Sequence, residues 1–593
     1  MGGETPIWAP DGSRIAFTSS LGGQAGVWAI SPTGGFPEQL NERLGGVGFL
    51  SSRNLRWSPD GGHLSYVSER SGSTEIWVWS RADGSERRVT DLGGRINHTS
   101  WSPDGRSIAF SGNRFGQFDI WTVEVASGAV RRITSDARYE VNPAWTPDGR
   151  TLLYVRLDER WVDHDILAVP ATGGAPRVVV EDRDFFDYGY GRTFGPPLPS
   201  PDGREVLFRS HRSGWINYWR VGLQGGEPQP LAAEDADQSD AAWSPDGTSV
   251  VFTSNRNGTH ALRVVAAAGG TPRTLVDPGM GMASNPAWSP DSREVAFVLG
   301  SPTAPGDLHV VAAAGGTPRQ ITYSLPGGGV GARLLAPEKV VYPSTDGYEI
   351  PAYLYTPPGA APGARLPALL WIHGGPTSQF NDSFQQHVQF FAQRGYVVLM
   401  PNIRGSSGYG LEFEDANNGC WGHCDLEDVL AGVDYLKTLP YVDGDRMGIT
   451  GSSYGGIMSM TAVAFAPGVF QAAVPQSGYG DWVAFFEDED NEIRHIKLLE
   501  YEFGPWPDSR EALKRSSAIY SVADIQTPVF LVHGEGLYPG SPQSYRFAEA
   551  LEAHYKPFRH SVFQGENYYV AGRSNRRAML LEMLDFFETF LRD

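Results

Sequence analysis

Short runs that alternate apolar and polar positions fill the first half of the chain. Arg14-Ile15-Ala16-Phe17 is one. A second strand with aromatics follows each such run (VWAI, IWVWS, DIWTV), and then a Gly-Gly turn with a short last strand (GGTPRTLV, GGTPRQIT). Period-two alternation bounded by Gly, Pro and Asp is the mark of half-buried strands joined by tight turns. In the second half the pattern changes. Continuous apolar runs such as LPALLWIHGG, YVVLMPNIRG, FQAAVPQSG and TPVFLVHGEG alternate with helix-length stretches, among them one from about Asp425 to Leu439 and a closing one from Asn575 to Leu591. Apolar strands separated by helices predict a mostly parallel sheet covered on both faces.

The strands of the first half recur in register. A WSPDG-like phrase places its proline at Pro10, Pro59, Pro103, Pro147, Pro201, Pro245 and Pro290, at intervals of 49, 44, 44, 54, 44 and 45. A period in this range marks stacked supersecondary units. Four short strands per unit, seven times over, predict a seven-bladed β-propeller over residues 1–325. The repeated Trp57, Trp101, Trp145, Trp243 and Trp288 are read as core between blades, and the repeated Asp residues as turn formers. The fifth unit has Pro199 at the Trp position, and the seventh has Ser292 for Gly. The longest interval carries a charged, aromatic segment, 181–199, read as a protruding loop. A Gly-rich join leads through a linker and domain start, 326–345, to the strand-and-helix domain at 346–593.

The chemistry sits in that second domain. Gly451-Ser452-Ser453-Tyr454-Gly455 is G-x-S-x-G between a predicted strand, RMGIT, and a helix-compatible run. Such a turn holds the serine in a strained conformation and aims the helix N-terminus and the Tyr454 N–H at a reacting carbonyl. His373-Gly374-Gly375-Pro376 ends an earlier strand, where Gly374 is expected to offer a second oxyanion N–H; His373 is expected to order its own loop.

Composition narrows the partners. A net charge of −20 argues against binding a phosphate backbone. No apolar run reaches the ~18 residues of a membrane span. The start, MGGETPIWAPDG, shows no signal peptide, and Pro6 stands where a myristoylation signal needs Ser or Thr. The expectation is a cytoplasmic protein with no cofactor, no metal, no nucleic acid and no membrane, whose N-terminus is open to being incomplete and whose oligomeric state is left open. Cys420 and Cys424 frame CWGHC, for which free thiols, a local disulfide and a metal site with His423 are the three readings. The acidic run EDEDNE (487–492) reads as a solvated loop or as a seat for a free amino group.

HGGPTSQF (373–380), PNIRGSSGYG (401–410), GSSYGG (451–456), SGYGDW (477–482), VHGE (532–535) and the WSPDG phrases together resemble the prolyl oligopeptidase family of serine peptidases, in its acylaminoacyl-peptidase and dipeptidyl-peptidase branches. The resemblance implies an α/β-hydrolase domain capped by a propeller that restricts access to short or N-terminally blocked peptides. It implies an acyl-enzyme on Ser453, an oxyanion donor at Tyr454 and a Ser…Asp…His chain order. It also exposes a departure. In HGEGLYPGSPQS, Leu537 stands where the family's Asp is expected, and in FQGENYYVAGRSN, Tyr568 stands where its His is expected. His560, His495 and His423 are the candidate surrogate bases. Arg404 is a candidate contact to a substrate carbonyl, with a structural ion pair as the alternative. The expected function is therefore peptide hydrolysis, against an impaired pseudo-peptidase with a binding role or a weak esterase.

Overall fold

Each WSPDG phrase folds as a turn that ties its own ends. In the computed structural model, which describes residues 4–21, 25–41, 54–183, 195–325, 334–488, 493–536 and 540–592, Ser102 Oγ donates to Asp104 at 2.6 Å and the same carboxylate accepts the Arg106 N–H at 3.0 Å. Ser200–Asp202, Ser244–Asp246 and Ser289–Asp291 repeat the first bond at 2.6 Å. The Asp residues are turn formers. The Trp residues link neighbouring units: the indole N–H of Trp145 donates to Ser100 O, that of Trp243 to Leu198 O and that of Trp288 to Ala242 O. The Trp8 indole donates to Ala287 O at 3.1 Å, joining the first repeat to the last.

The chain divides into two compact units, Met1–Gly331 and Ala332–Asp593. Among the described residues of the first, the strands form five four-stranded antiparallel sheets and one eight-stranded sheet over 237–320, in which two four-stranded sets meet through a single parallel bridge, His260 to Met282. Most of the 181–199 loop lies outside the described residues.

The second unit holds one eight-stranded sheet. Its strands are β1 (Glu338–Pro343), β2 (Glu349–Tyr355), β3 (Leu366–Ile372), β4 (Val397–Pro401), β5 (Val442–Ser452), β6 (Ala472–Gln476), β7 (Val529–Gly534) and β8 (Phe558–Phe563). They run in the order β1-β2-β4-β3-β5-β6-β7-β8, antiparallel at β1–β2–β4 and parallel from there on. Strands β4, β6 and β7 are buried along their whole length, which is why they read as unbroken apolar runs. The closing helix Arg573–Leu591 lays Met579, Met583, Phe586 and Phe587 onto Phe391, Val474 and Phe530. Strand β1 falls inside 326–345, the segment read as linker and start of the hydrolase domain. Among the described residues no helix is long and apolar enough to cross a membrane.

Candidate active site

Strand β5 ends at Ser452 and the helix Tyr454–Phe465 begins two residues later, leaving Ser453 alone on the turn at φ 58°, ψ −117°. A non-glycine residue in that conformation is strained by about 1–3 kcal/mol. The flanking glycines are a steric requirement. A Cβ on Gly451 would lie 2.3 Å from Ile372 O, and one on Gly455 would lie 2.1 Å from the same atom. The end of β3 thus presses on the turn from one side. From the other, the Ser453 N–H donates to Gln476 O, the last residue of β6, at 2.9 Å.

The Ser453 side chain is half-buried, and among the described residues its hydroxyl has no hydrogen-bond partner. It faces the first turn of a twelve-residue helix, whose leading N–H groups have no acceptor within the helix. Gly374 abuts it: a Cβ there would sit 3.3 Å from Ser453 Cβ and 3.9 Å from its Oγ. His373 is turned away. Its Nδ1 meets Gly374 O and its Nε2 meets Ser406 Oγ, each at 2.8 Å, and burial holds its pKa down at about 4. It orders the HGGP loop.

Tyr568, half-buried, is pinned in place. Its hydroxyl donates to Ser477 O at 2.8 Å and shares a hydrogen bond with the Tyr479 hydroxyl at 2.8 Å, while Ser477 Oγ donates to the Tyr568 carbonyl at 2.6 Å. The loop around it is organised by Glu566, whose carboxylate accepts the N–H groups of Ala571 and Gly572 at the mouth of the closing helix and the Asn575 amide. Leu537 lies outside the described residues. Glu535 accepts the Gly565 N–H at 3.0 Å.

None of the three surrogate histidines hydrogen-bonds Ser453. His560 Nε2 meets His533 Nε2 at 3.0 Å and Ser544 Oγ at 3.2 Å, and burial, with His533 beside it, lowers its pKa to about 4. His423 stacks on Phe465, and His495 packs edge-on against Phe485.

For Arg404 and for the cysteine pair the sequence left alternatives open, and the contacts favour one in each case. Arg404 is 4 % exposed and spent on structure: its guanidinium bonds Asp428 at 2.7 Å and Asp346 at 2.6 Å, and its backbone N–H also donates to Asp428. Cys420 and Cys424 form a disulfide, one of the three readings left open for CWGHC, and no described cysteine is free. Among the described residues no group of three or more His, Cys, Asp or Glu is arranged to hold a metal ion. Most of EDEDNE lies outside the described residues.

What sequence reasoning missed is a set of buried polar groups behind the elbow. The Tyr454 hydroxyl donates to Asp425, which also accepts the Gly422 N–H at 2.7 Å. Asn417, Trp421 and Glu502 pack around the same tyrosine. No spacing announces them, because they come from three separate elements.

A serine on a strained strand–turn–helix, against a sheet of this order, defines an α/β-hydrolase. Residues 382–593 match the prolyl oligopeptidase family and residues 47–183 the TolB beta propeller domain. It is 34% identical over 206 residues to the uncharacterized peptidase YuxL of Bacillus subtilis (strain 168), covering 34% of this chain and 30% of that protein. It is 26% identical over 249 residues to dipeptidyl-peptidase 5 of Porphyromonas gingivalis, covering 41% and 36%. The matched segment thus spans about a third of the length of these curated relatives. A puromycin-hydrolyzing peptidase of Mycobacterium tuberculosis superposes with a TM-score of 0.86 at 22% identity, over 99% of this chain and 94% of that one. The acylaminoacyl peptidase of Pyrococcus horikoshii does so with 0.77 at 18%, over 100% and 96%. At these identities the structures speak for the fold.

Proposed function

We propose that Ser453 is the nucleophile of a prolyl-oligopeptidase-type hydrolase that cleaves short or N-terminally blocked peptides through an acyl-enzyme, and that its N-terminal unit is a seven-bladed propeller. The observation that carries this reading is the Ser453 conformation, with Gly374 against its hydroxyl and a helix N-terminus behind it. Ser453 Oγ adds to the scissile carbonyl. The N–H groups of Tyr454 and Gly374 take the developing oxyanion, the amine leaves with a proton, and water then releases the acid. The names of the similar structures support a bond of aminoacyl or N-acylaminoacyl type.

A second reading has its own observation. Tyr568 occupies the loop where the resemblance puts a general base, with its hydroxyl engaged by Ser477 and Tyr479. A phenol with a reference pKa of about 10 is a poor base at neutral pH. Loss of one triad member costs roughly 10⁴–10⁶ in turnover. This favours an impaired peptidase with a binding role, or an esterase limited to good leaving groups.

Intact-mass analysis after treatment with a fluorophosphonate, with Ser453→Ala as control, tests the first reading. One adduct per chain, absent from the control, is expected. No adduct on folded protein overturns the nucleophile assignment and leaves the binding role.

A further inference from the structure

The Cys420–Cys424 disulfide closes a short loop, and the three residues inside it all pack along the helix that follows Ser453. Trp421, 2 % exposed, meets the Tyr454 ring edge to face, with centres 5.3 Å apart. Gly422 sits so close to Thr461 that a Cβ there would lie 2.9 Å from the threonine methyl. His423 stacks on Phe465, with ring planes 11° apart. The loop thus touches the helix Tyr454–Phe465 at its first residue, past its middle and at its last residue. A fourth tie runs through the next residue along: Asp425 accepts the Gly422 N–H at 2.7 Å and also the Tyr454 hydroxyl.

The backbone alone holds this loop weakly. Gly419 and Gly422 sit at φ 72° and 78°, and glycine is the residue with the widest choice of other conformations. The His423 and Cys424 N–H groups share one acceptor, Cys420 O, at 3.0 and 3.3 Å. A cross-link stabilises by removing the loose conformations such a loop would otherwise sample. Here it keeps three side-by-side contacts on one helix in register. The bond is not sealed in the core. Both cysteines are half-buried, His423 is exposed, and a cleft of about 590 Å³ opens along Gly422, His423 and Phe465.

We propose that Cys420–Cys424 is a redox-modification site, cleaved by dithiols, and that its cleavage loosens the helix carrying the Ser453 turn. One thiolate of the dithiol attacks Cys420 Sγ. The S–S bond breaks, and Cys424 departs as a thiolate at the N-terminus of its fourteen-residue helix, where negative charge is favoured. The second thiolate of the dithiol displaces Cys420 from the mixed disulfide. The dithiol is oxidised to its own disulfide, and the protein gains two electrons and, with them, two protons. Once the loop is open, Tyr454 loses the brace that fixes its place beside Ser453. The consequence for reactivity rests on the reading of Ser453 as the nucleophile; the coupling of loop to helix does not.

The test is hydrogen exchange on the full chain, followed by mass spectrometry before and after dithiothreitol, with thiol alkylation counting the reduced cysteines. Reduction is expected to speed exchange about tenfold or more in peptides covering 453–465 as well as in 419–426, the signature of a local opening; reoxidation should restore both. Protein carrying Cys420→Ser and Cys424→Ser should exchange like the reduced form and ignore the dithiol. Fluorophosphonate labelling is read in parallel, and its rate should fall about tenfold on reduction, short of the roughly 10²–10³ that loss of a whole oxyanion donor costs. Faster exchange confined to 419–426 overturns the proposal. So does a rise spread over the whole domain, or a bond that excess dithiothreitol leaves intact in folded protein. If the double variant does not fold, the reduced wild-type chain decides. If neither redox form labels, the reading of Ser453 fails, while exchange still judges the loop.

Discussion

Replacing Tyr568 by histidine puts the missing base back where the resemblance expects it. The phenol oxygen makes two neutral hydrogen bonds, to Ser477 O and to Tyr479, each 2.8 Å long. Losing both at about 1 kcal/mol apiece lowers stability by about 2 kcal/mol. The third tie, from Ser477 Oγ to the Tyr568 carbonyl, belongs to the main chain and survives, so the loop keeps its course. A positioned general base is worth about 10²–10⁴ in rate. Tyr568→His is therefore expected to raise kcat/KM on an N-acetyl-alanyl p-nitroanilide by at least about 10², and Leu537→Asp added to it to raise the value further by orienting the imidazole. The assay is steady-state release of p-nitroaniline from pH 5 to 9. A new limb should appear near the imidazole value of about 6.5. A double variant that melts cooperatively yet shows neither the gain nor the limb refutes the idea that this site lacks only its relay.

Three further perturbations probe separate parts of the argument. Ser453→Gly removes a side chain from a left-handed backbone position; melting should rise by the equivalent of about 1 kcal/mol while phosphonate labelling disappears, and a fall in stability would mean the turn is not strained. Arg404→Met strands the fully buried Asp428 carboxylate, so the domain should lose about 3–5 kcal/mol in urea unfolding, while labelling per folded molecule stays unchanged; loss of labelling without loss of stability would restore a substrate role for Arg404. His560 is held near 4 by burial, and His533 is lowered with it. The unfolded chain takes up protons near the ordinary value of 6.5 that the folded chain refuses until about 4, so stability is complete above that window and falls as pH drops through it. In His560→Gln the melting temperature should fall less steeply between pH 6.5 and 4, and an unchanged slope would place the acid sensitivity elsewhere.

The parts legible in the sequence are those whose partners recur at fixed spacing or sit within a few residues. The propeller repeats announce themselves because Trp145 reaches back 45 residues to Ser100 and Trp243 45 residues to Leu198, so one contact is written many times. The serine turn is legible because Gly451 and Gly455 flank it within four positions. Arg404 is different. Its partners, Asp346 and Asp428, lie 58 and 24 residues away, and nothing in PNIRGSSGYG separates a buried ion pair from an exposed guanidinium. The five residues of CWGHC are compatible with a disulfide and with free thiols alike, and only their placement at the head of the helix Cys424–Lys437 brings the sulfurs together. Asn417, Trp421 and Glu502 meet only because the loop before that helix and the helix Ile493–Phe503 converge on Tyr454.

The energetics of Ser453 bear on whether this chain is built to react or only to bind. Nothing in the packing asks for a serine at that position. Its hydroxyl holds no hydrogen bond among the described residues, and its backbone sits at φ 58°, where glycine would be less strained. Gly451 and Gly455 accept a further penalty in conformational entropy to let the turn approach Ile372. A scaffold selected for stability alone gains from relaxing each of these features. The neighbouring base position, by contrast, is fully used by the folded state, with Tyr568 satisfied by Ser477 and Tyr479. Strain is thus kept at the atom that would form the bond and removed at the position that would move the proton. That distribution fits a site that still engages a carbonyl through Ser453 and passes slowly, or with the help of a good leaving group, through the proton transfers on either side.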